Sequence, residues 1–158
     1  MKSESEMLNT MAKYCSTTER CVNDIHKKIK TEGLPTEAEK RIIDYLLKEK
    51  FIDEKRFCHS FVNDKFKFNH WGRVKICYEL KSRNIPQDIF HEAIDNIIDE
   101  DEYISVLTDL LKSKKRTTTG RSPQDVFQKL CRFASSRGFE TPLIINTLKS
   151  MFKNIDYE

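Results

Sequence analysis

Apolar positions recur along this chain at spacings of three and four residues, and no stretch keeps the two-residue alternation of a strand. Three interruptions punctuate the pattern in the same way: Gly33-Leu34-Pro35, Asn84-Ile85-Pro86, and Gly138-Phe139 with Pro142 just beyond. Gly and Asn tolerate the left-handed backbone that closes a helix, while Pro can open a helix but not continue one. Each interruption therefore predicts a helix, a sharp stop and a second helix.

Anchored on Leu34, Ile85 and Phe139, which lie 51 and 54 residues apart, the flanking apolar positions fall into register. Five residues upstream stand Ile29, Leu80 and Ala134; nine upstream stand Ile25, Ile76 and Leu130. Downstream come Ala38, Ile89 and Leu143, then Leu46, Ile97 and Met151, then Leu47, Ile98 and Phe152. These offsets follow the helical period and repeat as a set, which predicts an internal repeat of about 50 residues, with units at 1–52, 53–100 and 101–158.

Each unit reads as three short helices. In the first, Met7, Leu8, Met11 and Cys15 form one stripe. Ser16 with Glu19 is a candidate capping box for a second helix bearing Val22, Ile25 and Ile29, and Thr36 with Glu39 for a third bearing Ile42, Ile43, Leu46 and Leu47. In the second unit Asp53 is a candidate cap for a helix carrying Phe57, Phe61, Val62 and Phe66, and Asn69 or His70 is expected to start the next. In the third, Tyr103, Leu107, Leu110 and Leu111 form a stripe, residues 113–121 read as the longest irregular segment, and Ser122-Pro123 with Asp125 opens a helix. The tail from Asn154 to Glu158 is expected to fray. The fold class is all-α: three tandem three-helix repeats, helix-turn-helix-like, in an elongated array.

Composition narrows the picture further. Of 158 residues, 38% are hydrophobic and 34% charged, with four Gly and four Pro, which suits an extended helical array with short loops. No segment has the roughly 20 apolar residues needed to span a bilayer, and residues 1–7 (MKSESEM) lack a signal-peptide core, so a cytosolic protein is expected. Five cysteines without CxxC spacing predict reduced, mostly buried thiols rather than zinc or a disulfide framework.

The net charge of +3 is small, but it is segregated. Lys65, Lys67, Arg73, Lys75, Lys81 and Arg83 stand against Glu79 alone in residues 65–83; Lys112, Lys114, Lys115, Arg116, Arg121, Lys129, Arg132 and Arg137 stand against Asp125 alone in residues 112–137. Between these blocks Asp88, Glu92, Asp95 and Asp99 are spaced as one acidic helical stripe. That stripe is either a solvated face or a patch for basic groups on a partner. The basic blocks suit phosphate or an acidic protein groove, the third-unit cluster of Lys129 and Arg132 with the preceding Lys114, Lys115 and Arg116 above all. Phe66, Phe68 and Trp71 cluster at a helix junction, as core packing or as a nucleotide-stacking platform. His26, His59, His70 and His91 are scattered, no glycine-rich phosphate loop or metal motif occurs, and adjacent Cys58 and His59 point about 100° apart on a helix. Nothing here reads as an enzyme.

With repeats and charges laid out, the chain resembles the RecX family, bacterial regulators of the RecA recombinase, from Met7 to Phe152. The resemblance is carried by FIDEKRFCHSFVNDKF (Phe51 to Phe66), by GRVKICYELKSRNI (Gly72 to Ile85) and by KLCRFASSRGF (Lys129 to Phe139). The segment from Cys15 to Cys21 lacks the basic and Glu-Leu signature usual in the first repeat. The resemblance implies a curved, non-catalytic monomer without cofactor that binds along the groove of the RecA filament on single-stranded DNA, binds the bare strand more weakly, and inhibits strand exchange and ATP hydrolysis, modulating recombination and DNA repair. Lys65, Arg73, Lys75, Lys81, Arg83, Lys114, Lys115, Arg116, Lys129, Arg132 and Arg137 are the candidate filament or DNA contacts. A stand-alone helical DNA-binding protein is the competing expectation.

Overall fold

A computed structural model describes residues 2–152. Among them the regular elements are all helical: α1 (Glu4–Thr17), α2 (Val22–Glu32), α3 (Thr36–Lys48), α4 (Glu54–Asn63), α5 (Arg73–Ser82), α6 (Gln87–Ile97), α7 (Glu100–Thr117), α8 (Pro123–Ser136) and α9 (Thr141–Met151), with a π-helical turn at Asp64–Phe68 prolonging α4. The segment expected to fray, from Asn154 to Glu158, lies outside the described residues.

The three stops carry the repeat. Gly33, Asn84 and Gly138 all take left-handed backbone, with φ of 74°, 60° and 94°. The two stripes upstream of each stop, Ile25 and Ile29, Ile76 and Leu80, Leu130 and Ala134, are fully buried. The fold is thus all-α, with three helix triples built to one pattern. Leu47 departs from it: it is 40% exposed where its counterparts Ile98 and Phe152 are buried.

Two compact units form, Met1–Phe61 with Leu80–Ala93, and Val62–Glu79 with Ile94–Glu158, so the middle triple contributes to both. In the first unit Met7, Met11 and Cys15 of α1 pack with Ile25 and Ile29 of α2, Ile42 and Leu46 of α3, and Ile52. In the second, Phe66, Tyr103, Leu107, Leu111, Leu130, Phe139, Ile144 and Leu148 are buried. Each such side chain contributes about 1.5–3 kcal/mol by leaving water.

Several helix boundaries differ from the sequence reading, each for a local reason. Ser16 does not open α2: its hydroxyl and that of Thr17 donate to carbonyls one turn back and finish α1, while Glu19 accepts from Arg56. Cys21 takes the cap position, with the Asp24 carboxylate accepting from its backbone N–H at 3.1 Å. Thr36 lies inside α3 behind Pro35, and its supposed partner Glu39 is 2.9 Å from His26 Nδ1 instead. Residues 113–117 are helical, not irregular, because Lys and Arg are good helix formers and their charges suit a helix C-terminus. Asp53 and Ser122 do cap their helices, accepting from Arg56 N–H at 3.0 Å and Asp125 N–H at 3.1 Å.

The five cysteines are free thiols; Cys15, Cys21 and Cys58 are buried, Cys77 and Cys131 partly so. Burial pushes Cys21 up to about 11 and Cys58 up to about 12, so both are neutral, apolar side chains at physiological pH. Glu54 is a perturbed carboxyl of the first unit. It accepts from the Val22 N–H, yet burial holds its carboxyl above the usual range, with the Asp24 charge adding to the shift. Its Oε2 is buried with no hydrogen-bond partner among the described residues. A carboxyl with a raised folded pKa keeps its proton where the unfolded chain has lost it, so its contribution to stability falls as pH climbs out of the ordinary carboxylate range. Glu54→Gln should therefore stabilise the chain by on the order of 0.5 kcal/mol at pH 7 and hardly at all at pH 4. Urea unfolding at the two pH values checks this; an equal effect at both would contradict it.

Candidate functional site

Helix α5 begins without a capping side chain, and the way its first amides are satisfied organises the second unit. The Gly72 N–H donates to the Arg137 carbonyl at 2.8 Å, the Arg73 N–H to the Tyr103 hydroxyl at 2.8 Å, and the Val74 N–H to the Gly138 carbonyl at 2.9 Å. The start of α5 is therefore docked on the α8–α9 turn through backbone groups, which requires two glycines in near contact. The sequence reading placed the start at Asn69 or His70. The π turn displaces it: Asn69 and Trp71 bond back to the carbonyls of Asp64 and Lys65, and His70 takes left-handed backbone at φ 56°.

Arg73 lies within this junction. Its Nε is 2.7 Å from Glu140 Oε2, its Nη1 2.8 Å from Glu100 Oε2, and its guanidinium stacks 4.0 Å from the Tyr103 ring centroid. Burial works against its charge, but the hydrogen bonds it donates to Glu100 and Glu140, with the Glu140 charge, outweigh burial and hold the guanidinium more basic than usual. Arg73 is thereby a tie between α5, α7 and α9. Arg137 is similarly engaged: its Nη1 is 3.4 Å from the Asn69 carbonyl and its guanidinium lies over Phe133.

Lys65 and Lys75 behave differently. Their ammonium groups lie 4.8 and 4.3 Å from the centroid of the Trp71 ring, two cations on one indole. Around them in sequence stand the most exposed large apolar side chains of the second unit: Phe68 at 75%, Tyr78 at 71% and Val74 at 54%. Phe66, by contrast, is fully buried against Tyr103, ring centroids 5.8 Å apart. The three-aromatic cluster of the sequence reading is thus divided, one ring in the core and one in solvent. Val74 and Tyr78 were missed there; their i, i+4 spacing, off the Ile76 and Leu80 stripe, was the available signal.

The third-triple cations split in the same way. Lys114 lies over Phe133 and Lys115 over Phe152, at 5.2 and 4.3 Å. Lys129 Nζ donates to the Thr119 carbonyl at 2.7 Å and pairs with Asp125 at 3.5 Å, so it secures the α7–α8 loop. Arg116 and Arg132 are exposed. In the first unit Lys81 is exposed, while Arg83 is 3.4 Å from Asp24 Oδ1 and lies over the Phe61 ring at 5.1 Å. Of the acidic stripe, Asp88, Glu92 and Asp95 lie exposed on α6, and Glu92 is 3.8 Å from Lys55. Asp99 is not on α6: it caps α7, accepting from the Glu102 N–H at 3.0 Å.

Among the described residues no group of three or more His, Cys, Asp or Glu could hold a metal ion, and no helix is long and apolar enough to cross a membrane.

Comparison with known proteins bears on the whole chain. Residues 53–94 match the model of the second three-helix domain of RecX. The regulatory protein RecX of Clostridium botulinum (strain Eklund 17B / Type B) is 30% identical over 135 residues, covering 84% of this chain and 60% of that protein. That of Prosthecochloris aestuarii is 26% identical over 148 residues, covering 93% and 94%. The chain thus spans about 60% of the length of the clostridial relative and nearly all of the second. In fold, it superposes on a crystal structure of regulatory protein RecX with a TM-score of 0.82 at 20% identity, over 96% of this chain and 72% of that one. RecX from Lactobacillus salivarius gives 0.81 at 18%, over 94% and 96%. A matched three-helix domain, relatives of one name along the length of the chain and the shared helical fold agree: over nearly its whole length the chain is similar to the RecX family.

Proposed function

We propose that this chain is a non-catalytic regulator of a RecA recombinase, binding along the RecA filament on single-stranded DNA and lowering its ATP hydrolysis and strand exchange. The observation that carries the reading is the run of relatives named regulatory protein RecX along most of the chain. The physical character of the surface supports it. Exposed cations at the end of α7 and along α8 suit phosphate, and the acidic residues of α6 suit basic groups on a protein. The candidate contacts divide by geometry: Arg116, Arg132, Lys81, Lys114 and Lys115 face outward for binding, with Lys65 and Lys75 beside Trp71. Arg73, Arg83, Lys129 and Arg137 serve first to hold the fold.

Titrating the chain into RecA on single-stranded DNA should depress ATP hydrolysis. Untouched hydrolysis, with bare DNA bound as tightly as RecA-coated DNA, would leave a stand-alone DNA-binding protein instead. Replacing Arg116 and Arg132 together by Glu should weaken binding to single-stranded DNA roughly tenfold at low salt and flatten the log–log salt dependence by about 1.4, since each phosphate contact on a single strand contributes about 0.7. An unchanged slope would remove both residues from the interface.

A further inference from the structure

Phe68 and Tyr78, on either side of Trp71 in the sequence, are the most exposed rings of the second unit. Phe68 and Tyr78 leave most of their surface in water, whereas Phe57, Phe61, Phe66, Phe90, Phe139 and Tyr103 are buried. Exposed apolar side chains that gather in one region, here Phe68, Val74 and Tyr78, mark surfaces that meet a ligand or partner. Phe68 ends the π turn, within which Phe66 is buried, and Tyr78 stands one helical turn beyond Val74 on α5. Between them Trp71 carries two ammonium groups, of Lys65 and Lys75, on its ring. Nearby, Lys67 pairs with Glu102 and Arg73 with Glu100 and Glu140, while Lys75 stands on α5 one helical turn before Tyr78.

Aromatic faces interleaved with lysines match a ligand that repeats a flat π-system and a negative charge every few ångström, which describes an unpaired nucleotide strand. We infer that Phe68 and Tyr78 stack on unpaired bases of single-stranded nucleic acid, with Lys65 and Lys75 meeting the adjoining phosphates. This rests on the proposed action at a filament on single-stranded DNA and adds to it a direct base contact, made by the second triple. Stacking of this kind tolerates any base sequence, because every base presents a π-face.

The test compares a fluorescent oligo-dT with a strand of equal length and charge built from abasic units, by anisotropy with the full chain. Wild type should prefer the base-bearing strand. Phe68→Ala and Tyr78→Ala should each lose roughly tenfold on oligo-dT and leave the abasic strand unaffected, and Tyr78→Phe, which keeps the ring, should bind as wild type. Thermal melts monitored by circular dichroism verify that the exposed substitutions leave the fold intact. Equal affinity of wild type for both strands, or a double Phe68→Ala Tyr78→Ala variant that binds oligo-dT as wild type does, would overturn the inference. So would variants that lose RecA inhibition while retaining oligo-dT affinity, which would assign the rings to a protein surface. The filament reading is tested separately: base-dependent binding with no effect on RecA ATP hydrolysis would refute that reading and leave the stacking contact standing.

Discussion

Gly138→Ala should lower the stability of the chain by about 3 kcal/mol, seen as a drop of roughly 1.5 M in the urea midpoint for a slope near 2 kcal/mol/M. Two effects act together. Gly138 has φ +94°, where an L side chain is strained, and a Cβ there would lie 2.3 Å from Lys75 Cβ and 2.6 Å from its backbone nitrogen. Neither atom can swing away, since the Val74 N–H next to it is bonded to the Gly138 carbonyl at 2.9 Å. Gly72→Ala should cost a similar amount from the other side, its Cβ lying 2.3 Å from the Gly138 carbonyl carbon and oxygen. Because both substitutions wedge open one contact, the double variant should cost clearly less than the two singles added. Gly120→Ala is the comparison: its Cβ would meet the movable carboxyl of Asp125 at 2.7 Å, and it should cost under about 1 kcal/mol. Full additivity of Gly72→Ala and Gly138→Ala would mean that the two glycines do not share a contact.

This junction also marks the limit of what sequence periodicity can reveal. The stops at Gly33, Asn84 and Gly138 were legible because a left-handed residue followed by an apolar anchor is a local signal, and the stripes five and nine residues upstream repeat with it. The docking of Gly72 against Gly138 was not legible. It joins residues far apart in sequence, and a glycine that opens a helix looks the same whether it faces solvent or another backbone. The capping errors at Ser16 and Thr36 have the same origin: both motifs have the right local spacing, but their acidic partners, Glu19 and Glu39, are taken by Arg56 and His26 from elsewhere in the fold. The basic residues show the point most sharply. Charge blocks are visible in a sequence, but whether Arg73 faces a ligand or the pair Glu100 and Glu140 is decided by tertiary contacts. Phe66 and Phe68, two residues apart, go to opposite environments because side chains at i and i+2 on a helix point about 200° apart.

Tyr103→Phe tests the polar half of the same junction and should cost about 2 kcal/mol. The ring would stay in place between Phe66 and Phe139, whose centroids lie 5.8 and 5.1 Å from it, so little packing is lost. What disappears is the hydroxyl, which accepts from the Arg73 N–H at 2.8 Å and donates to Glu140. A buried amide at the start of α5 would be left unpaired, while Glu140 retains the Arg73 guanidinium. Glu140→Gln should cost less, about 1 kcal/mol, because its one remaining side-chain oxygen can still accept from the Tyr103 hydroxyl and Glu100 still holds Arg73. The two variants also separate by pH. Burial first, and the hydrogen bond to Glu140 second, hold the Tyr103 hydroxyl protonated well beyond the usual tyrosine range. A group with a raised folded pKa stabilises fully below its unfolded value and progressively less above it, so this hydroxyl's contribution should fade as pH passes about 10, where the unfolded tyrosine ionises. The stability gap between wild type and Tyr103→Phe should therefore narrow between pH 9 and pH 11 on that scale, while the gap to Glu140→Gln, measured over the same range, follows the same loss only as far as wild-type Tyr103 itself is ionised in the unfolded chain of both proteins, and so stays nearly level. A gap to Tyr103→Phe that held constant across that range would show that the hydroxyl is not sequestered at the junction.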